Sequence, residues 1–286
     1  MSHRPSIGII GLGLIGGSAA KAFAQAGLSV YGYDLDVMTI KRAYAESVVV
    51  NAGADWREWA EGVDWVLMAP PLAQVNSWLT QWTSHVQRAQ LIIDVSSVKK
   101  GVLPTLSALP PRFTPICLHP MAGSELTGYP ASTPDLFRGH VCAVVSVPNR
   151  ESAPEPVIAE ILQWLGMHAY PIAGLAHDQV AALVSHLPYL VSAALLVTAE
   201  RVGPPLADWP QMAGPGFLDT SRVGSSSPML WNEILSENRE AVLRVLEVYS
   251  EVVSAWVGDL KRARPPEGLK RAQAIRSRVE EGKPWN

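Results

Sequence analysis

Cysteine is nearly missing: two residues in 286, Cys117 and Cys142, each inside an apolar, strand-like run. That reads as two buried free thiols rather than a disulfide framework. There is no C-x-x-C, no Cys/His cluster and no H-E-x-x-H, so no metal site is expected. Charge of one sign is missing too. The balance of 23 Lys+Arg against 26 Asp+Glu leaves a net charge of -3. This gives no reason to expect nucleic acid or an anionic membrane as partner. No run approaches about 18 consecutive apolar residues, so no transmembrane helix is expected. The polar stretch Met1–Pro5 leads straight into a strand without the apolar segment of a signal peptide. The expectation is a soluble, cytoplasmic protein. No internal repeat or low-complexity tract is present.

What is there is apolar residue in quantity, 48% of the chain, enough for a well-buried core. Strand and helix signals alternate. Ser6–Ile10 reads as a strand, Leu14–Ala26 as a helix stopped by Gly27, and Leu28–Tyr33 as a second strand. Asp36–Glu46 has helical spacing, Val48–Val50 reads as a third strand, and Asp64–Ala69 as a fourth, ended by Pro70-Pro71. Leu72–Val86 is helical, Leu91–Val95 is a fifth strand, and a short helix is expected from Ser97. Phe113–Leu118 and Val141–Val147 complete the series. After a surface connection at Pro148–Pro156 comes a last helix–strand pair, Pro156–Leu165 and His168–Ile172. Such alternation predicts an α/β fold: a mostly parallel sheet covered on both faces, over residues 1–173.

After Gly174 the character changes. Gln179–Arg201 is a long apolar helix, Pro210–Pro228 reads as a loop, and Met229–Leu260 carries apolar residues at three-to-four spacing, as in one long amphipathic helix. Pro265-Pro266 breaks the pattern before a charged helix, Leu269–Val279. Residues 174–286 therefore read as an all-helical domain. Long apolar helices without a sheet of their own predict homodimerisation.

Gly11-Leu12-Gly13-Leu14-Ile15-Gly16 is G-x-G-x-x-G, placed between a strand and a helix in a βαβ unit. Gly11 permits the tight turn, Gly13 lets a pyrophosphate approach the backbone, and Gly16 allows close packing of helix on strand. The N–H groups that open the helix, at Leu14 and Ile15, then face the phosphates. Asp34 stands at the end of the second strand, where a carboxylate accepts ribose hydroxyls and repels a 2′-phosphate. This favours NAD over NADP. Ala69 and Pro70, ending the fourth strand, are placed near the dinucleotide, although they could equally be a plain strand terminator.

Ligands of open α/β sheets bind at the carboxyl ends of strands, and His119-Pro120-Met121-Ala122-Gly123 follows such an end. On the residues alone, His119 is either a hydrogen-bonded structural histidine or a base. Ser97 either caps a helix or orients a substrate hydroxyl. Lys99 reads as a solvated charge. Ser185-His186-Leu187-Pro188 puts polar groups into an apolar run, and these need partners. Arg222, in a Gly/Ser-rich loop, is a fork for a carboxylate or an ion-pair partner of Asp219.

Taken in order, the glycine loop, Asp94–Lys99 (D-x-S-S-V-K), H-P-M-A-G, S-H-L-P and Gly216–Val223 (G-F-x-D-x-S-R-V) resemble the TyrA family of prephenate/arogenate dehydrogenases. The resemblance runs from Ser6 to about Leu260. It implies a Rossmann domain joined to a helical dimerisation domain, NAD as cofactor, and oxidative decarboxylation of a cyclohexadienol acid. It further implies His119 as the base on the ring C4 hydroxyl, Ser97 holding that hydroxyl, Arg222 gripping a carboxylate, and His186 lining the substrate pocket. Some members carry a histidine where this chain has Tyr189, so a substrate contact differs there. Glu125 is a candidate partner for the ammonium of an amino substrate. A specialised member acting on a 4-amino-4-deoxyprephenate-like substrate, and a non-catalytic NAD-binding sensor, are the alternative readings. A β-hydroxy acid dehydrogenase would need a lysine from the helical domain, and none lies between Lys100 and Lys261.

Overall fold

The computed structural model describes residues 4–51, 53–88, 90–151, 153–203 and 208–282. Met1–His3 of the polar start and Ser152 of the surface connection lie outside the described residues. Two compact units are present, residues 1–239 and 240–286.

The first unit is built on strands β1 (Ser6–Ile10), β2 (Ser29–Tyr33), β3 (Trp65–Met68), β4 (Gln90–Asp94), β5 (Phe113–Pro120), β6 (Val141–Val145) and β7 (His168–Ile172). They form one sheet in the order β2-β1-β3-β4-β5-β6-β7. β1 to β5 are all parallel, β6 runs antiparallel to β5, and β7 is parallel to β6. Successive side chains of a strand point to opposite faces. Accordingly Ile9, Leu67, Ile93 and Ile116 belong to one buried cluster, and Ile10, Val66, Met68 and Ile92 to another across the sheet. Both faces are covered, which is why these strands read as unbroken apolar runs.

Helices α1 (Leu14–Gln25), α2 (Val37–Ala45), α3 (Arg57–Ala60), α4 (Val75–His85), α5 (Leu103–Ser107) and α6 (Glu155–Leu165) connect the strands. The chain moves outward from β1 to β2, then returns to place β3 on the other side of β1. That reversal makes the β1/β3 edge the topological switch point, where such sheets bind ligands.

Four expectations are corrected. Val48–Val50 is not a strand. Ser47, at φ 57°, ends the α2 turn, and only Val50 N bonds across to Val30 O. No helix starts at Ser97; the next one is α5. The region expected as the loop Pro210–Pro228 contains α9 (Pro215–Ser221), whose proline stands in the first turn where no N–H is needed. The expected single helix Met229–Leu260 is two, α10 (Pro228–Glu237) and α11 (Arg239–Lys261), parted at Asn238. The second unit consists of most of α11 and of α12 (Leu269–Glu280).

Between β7 and α9, α7 (Gly174–Ala181) runs through a π-helical turn, Ala182–His186, into α8 (Leu187–Val202). This continuous run of 29 residues is long and apolar enough to cross a membrane by length and composition, although no unbroken apolar stretch of that length marks it in the sequence. Its start carries His177, Asp178 and His186, all buried and all hydrogen-bonded within the protein. π-Helical turns in long helices often mark functional sites.

Candidate active site

The glycine loop turns sharply at Gly11, which has φ +90° and lies against the end of β3. A Cβ there would run into the Ala69 carbonyl oxygen and would meet Pro70 N at 2.9 Å. The loop and the Ala69-Pro70 segment are thus neighbours across the switch point. Around Gly13, by contrast, an added Cβ would meet nothing within 4 Å, leaving the open approach a pyrophosphate needs. No acidic side chain occupies the first turn of α1, and no side chain caps it, so no cap takes up the N–H groups at Leu14 and Ile15. Asp34 Oδ2 accepts from Leu12 N at 2.8 Å, and its Oδ1 from Asp36 N at 2.9 Å. The carboxylate is fixed by backbone while each oxygen keeps a lone pair for a ribose hydroxyl. These residues fit NAD. Beside Asp34 opens a cleft of about 660 Å³, lined by Tyr33, Leu35, Trp56, Arg57 and Trp78 among others. Sequence reading missed this aromatic cleft, because its walls come from three separate segments without a motif.

On the other side of the switch point, β4 ends at Asp94 and β5 continues to Pro120. His119 is therefore inside the strand, paired with Ala143 of β6, rather than after it. Its Nδ1 lies 2.8 Å from His177 Nε2, and His177 Nδ1 lies 2.7 Å from Asp178 Oδ1. Asp178 also accepts from the backbone N–H groups of Lys99 at 2.9 Å and Lys100 at 2.8 Å. Burial opposes the charge of Asp178. His177 and the two backbone donors outweigh it and hold the carboxyl below its ordinary range.

The expectation of a solvated Lys99 is overturned. Its side chain is fully buried, with Nζ 2.5 Å from Asp94 Oδ2 and 2.6 Å from the Leu118 carbonyl oxygen. Burial works against the ammonium, but the Asp94 carboxylate prevails and raises its pKa. His119, above this pair, is held well below the ordinary imidazole range, by burial first and then by the charge of Lys99 and by His177 and His186. Ser96, not Ser97, is tied into the turn, its Oγ bonding Asp94 Oδ2 at 3.0 Å. Ser97 is half-buried and caps no helix.

His186 is buried, and its Nδ1 lies 3.2 Å from Asn238 Nδ2, which also donates to the Asp178 carbonyl oxygen. Burial chiefly lowers its pKa to about 4, so it is neutral at pH 7. Tyr189, one turn on, stacks on Trp231 with centroids 3.8 Å apart and planes at 5°. Arg222 reaches Glu125, not Asp219: Nη1 to Oε2 is 3.1 Å, with both side chains partly exposed. The structure thus brings His119 together with His177, Asp178 and the Lys99–Asp94 pair, and Arg222 with Glu125. His177, Asp178, Asn238 and Trp231 were not singled out from sequence. The adjacent His177-Asp178, nine residues before His186, was the available signal.

Fold and loop together define a Rossmann-type nucleotide-binding protein with appended helices. Residues 19–169 match the nucleotide-binding domain of prephenate dehydrogenase, and residues 174–264 its dimerization domain. The chain is 30% identical over 266 residues to cyclohexadienyl dehydrogenase of Zymomonas mobilis, covering 90% of this chain and 87% of that protein. Arogenate dehydrogenase of Synechocystis is 28% identical, with a TM-score of 0.77 over 97% of this chain and 100% of that one. Prephenate dehydrogenase from A. aeolicus, solved with hydroxyphenyl propionate and NAD+, shares the fold with a TM-score of 0.85 at 24% identity, over 98% and 99% of the two chains. The chain belongs to the prephenate dehydrogenase family.

Proposed function

We propose that this protein catalyses the NAD-dependent oxidative decarboxylation of a cyclohexadienol acid, prephenate or arogenate, in tyrosine biosynthesis. The observation that carries the reading is the position of His119. It stands on the same sheet edge as the glycine loop, one strand beyond the Asp94–Lys99 turn, and is kept neutral. Family membership supplies the reaction type.

Gly11, Gly13, Gly16 and Asp34 would hold NAD, which would supply the acceptor for the hydride leaving ring C4. His119 takes the proton of the C4 hydroxyl as C4 becomes a carbonyl. The C1–carboxylate bond then breaks, CO2 leaves, and its electron pair aromatises the ring and returns charge to the oxygen. The proton goes back from His119 to that oxygen, giving the phenol. The depressed pKa keeps the imidazole neutral and free to accept that proton at neutral pH, and it makes the imidazolium quick to return it. Ser97 orients the hydroxyl. Arg222 holds a substrate carboxylate, with Glu125 beside it to meet an ammonium where the side chain carries one. His186, with Tyr189 and Trp231, lines the pocket.

The cleft at Tyr33, Trp56 and Trp78 receives the adenine. In sequence, the nucleotide-binding domain gives way to the helical domain near residue 173, where β7 has ended and α7 begins, ahead of the division into compact units after Arg239. The exposed apolar side chains of the Gly174–Val202 run form a homodimer interface, and the protein works in the cytoplasm.

The test is NADH formation with prephenate, arogenate and the 4-amino analogue, each with NAD and NADP. Turnover of either of the first two acids supports the reading, and their ratio assigns the substrate. Turnover of none of the three sinks it.

A further inference from the structure

We infer that His177 and Asp178 set the tautomer of His119 and thereby make its Nε2 the proton-accepting atom. This rests on the reading of His119 as the base. The reasoning starts at the carboxylate. Asp178, ionised, has no proton to give, and it accepts from the backbone at Lys99 and Lys100. The short contact to His177 Nδ1 therefore requires a proton on that nitrogen. A neutral His177 with its proton on Nδ1 offers a bare Nε2, which at 2.8 Å accepts from His119 Nδ1–H. His119, with its proton on Nδ1, presents a free lone pair on Nε2. One ionised carboxylate thus fixes two imidazoles in sequence.

The arrangement has the logic of a histidine oriented by a carboxylate, lengthened by one ring. Once Nε2 has taken the hydroxyl proton, His119 carries protons on both nitrogens. Its positive charge is then shared through Nδ1–H with His177 and met by Asp178. No covalent bond changes in the array, and the proton at Nε2 is the one returned to the phenol. His177 and Asp178 are positioning residues.

Other titratable groups surround His119. The Lys99–Asp94 pair is tied to the residue before it, Cys117 is on its own strand, Cys142 on β6, and His186 closes the π-turn. Burial raises Cys117, and lifts Cys142 to about 12. Neither thiol ionises near neutral pH.

The test pairs a spectroscopic readout with kinetics. In 15N-histidine-labelled protein, long-range 1H–15N spectra distinguish the two neutral tautomers, and His119→Asn identifies the His119 signals. Wild type should show His119 and His177 both protonated on Nδ1. In Asp178→Asn an amide N–H can face His177 Nδ1, which moves the proton of His177 to Nε2 and that of His119 to its own Nε2. The base is then blocked. kcat should fall by about 10²–10⁴-fold, with KM for NAD little changed and the pH profile altered. Asp178 also anchors backbone, so a second pair guards against misfolding. His177→Gln, whose carbonyl can accept from His119 Nδ1–H, should retain far more kcat than His177→Leu, with equal NADH affinity by fluorescence. A wild-type His119 protonated on Nε2 overturns the inference, as does equal kcat for the Gln and Leu variants. The tautomer is read without substrate, so a failure of the proposed reaction stays distinguishable from a failure of the array.

Discussion

Lys99 and Asp94 form an ion pair in which both side chains are fully buried, with Nζ and Oδ2 2.5 Å apart. Lys99 spends a second donor on the carbonyl of Leu118, the residue before His119. The pair therefore fixes the end of β5 from below, and it ties the turn after β4 to the strand that carries the base.

Removing one partner leaves the other charge buried and unmatched. Breaking such a pair costs about 3–5 kcal/mol, whereas replacing both partners by apolar residues is often far cheaper. Lys99→Met and Asp94→Asn should each lower stability in urea titrations by that order, and Lys99→Met with Asp94→Leu should recover part of the loss. Because the folded state raises the pKa of Lys99, the pair stabilises fully below the ordinary lysine value and fades as pH climbs through the raised one. Wild type should lose stability in strong alkali, and the double variant should lose less. Single variants as stable as wild type would contradict the pairing.

Acid acts through the histidines. His119 is held well below, and His186 at about 4, against an ordinary value of 6.5. A depressed folded pKa gives stability that is present above the unfolded value and lost as pH falls through the folded one. The melting temperature should therefore drop between pH 6.5 and 4, and less in His186→Gln. For catalysis the sign is the same. The base works when neutral, so kcat/KM should stay level well below pH 6.5. In Lys99→Met a repelling charge is gone, so the acid limb should move upward. An acid limb in wild type at the ordinary imidazole value would refute the depressed pKa.

The glycine loop and most of the strands were legible because their signals are local. A tight turn needs glycine at fixed offsets, and doubly covered strands are apolar throughout. Val48–Val50 has the composition of a strand, yet it has only one backbone bond across to a neighbouring strand, Val50 to Val30. Composition records burial, not pairing. Asn238 parts α10 from α11 while its amide serves Asp178 and His186, contacts 60 and 52 residues away in sequence. No helical periodicity carries that information. Lys99 was misjudged for a related reason. A lysine is soluble by default, and only the fold sets it in the interior against Asp94. His119 could be found because it sits in a compact motif, whereas His177 lies in an apolar helix and becomes meaningful only at 2.8 Å from His119.

Arg222 and Glu125 test the far end of the substrate. Their ion pair is largely exposed, so by itself it adds little to stability. Arg222→Ala should leave stability nearly unchanged and chiefly raise KM for the acid. Glu125→Gln separates the two substrates: it should raise KM for arogenate, which carries an ammonium, and leave or lower KM for prephenate. Steady-state kinetics with both acids decides it. Equal effects on the two would remove Glu125 from side-chain recognition, and an unchanged KM in Arg222→Ala would return the arginine to a surface ion pair.

Asp34 tests cofactor choice. Its carboxylate holds the glycine loop through Leu12 N and the next turn through Asp36 N, so substitution removes two backbone anchors together with the ribose acceptor. A hydrogen bond to a charged group is worth about 1.5–3 kcal/mol, so Asp34→Ala should raise KM for NAD by tenfold or more. The same change removes the charge that repels a 2′-phosphate. KM for NADP should rise less or fall, and the preference for NAD should narrow. Arg57 lines the neighbouring cleft and faces Asp55 at 3.4 Å, with its guanidinium over the Trp56 ring. Freeing that guanidinium with Asp55→Asn in the Asp34→Ala background should improve NADP use further, because an arginine can then meet the phosphate. Initial rates with both dinucleotides read the ratio directly. A preference unchanged in Asp34→Ala would place the ribose elsewhere than at the end of β2.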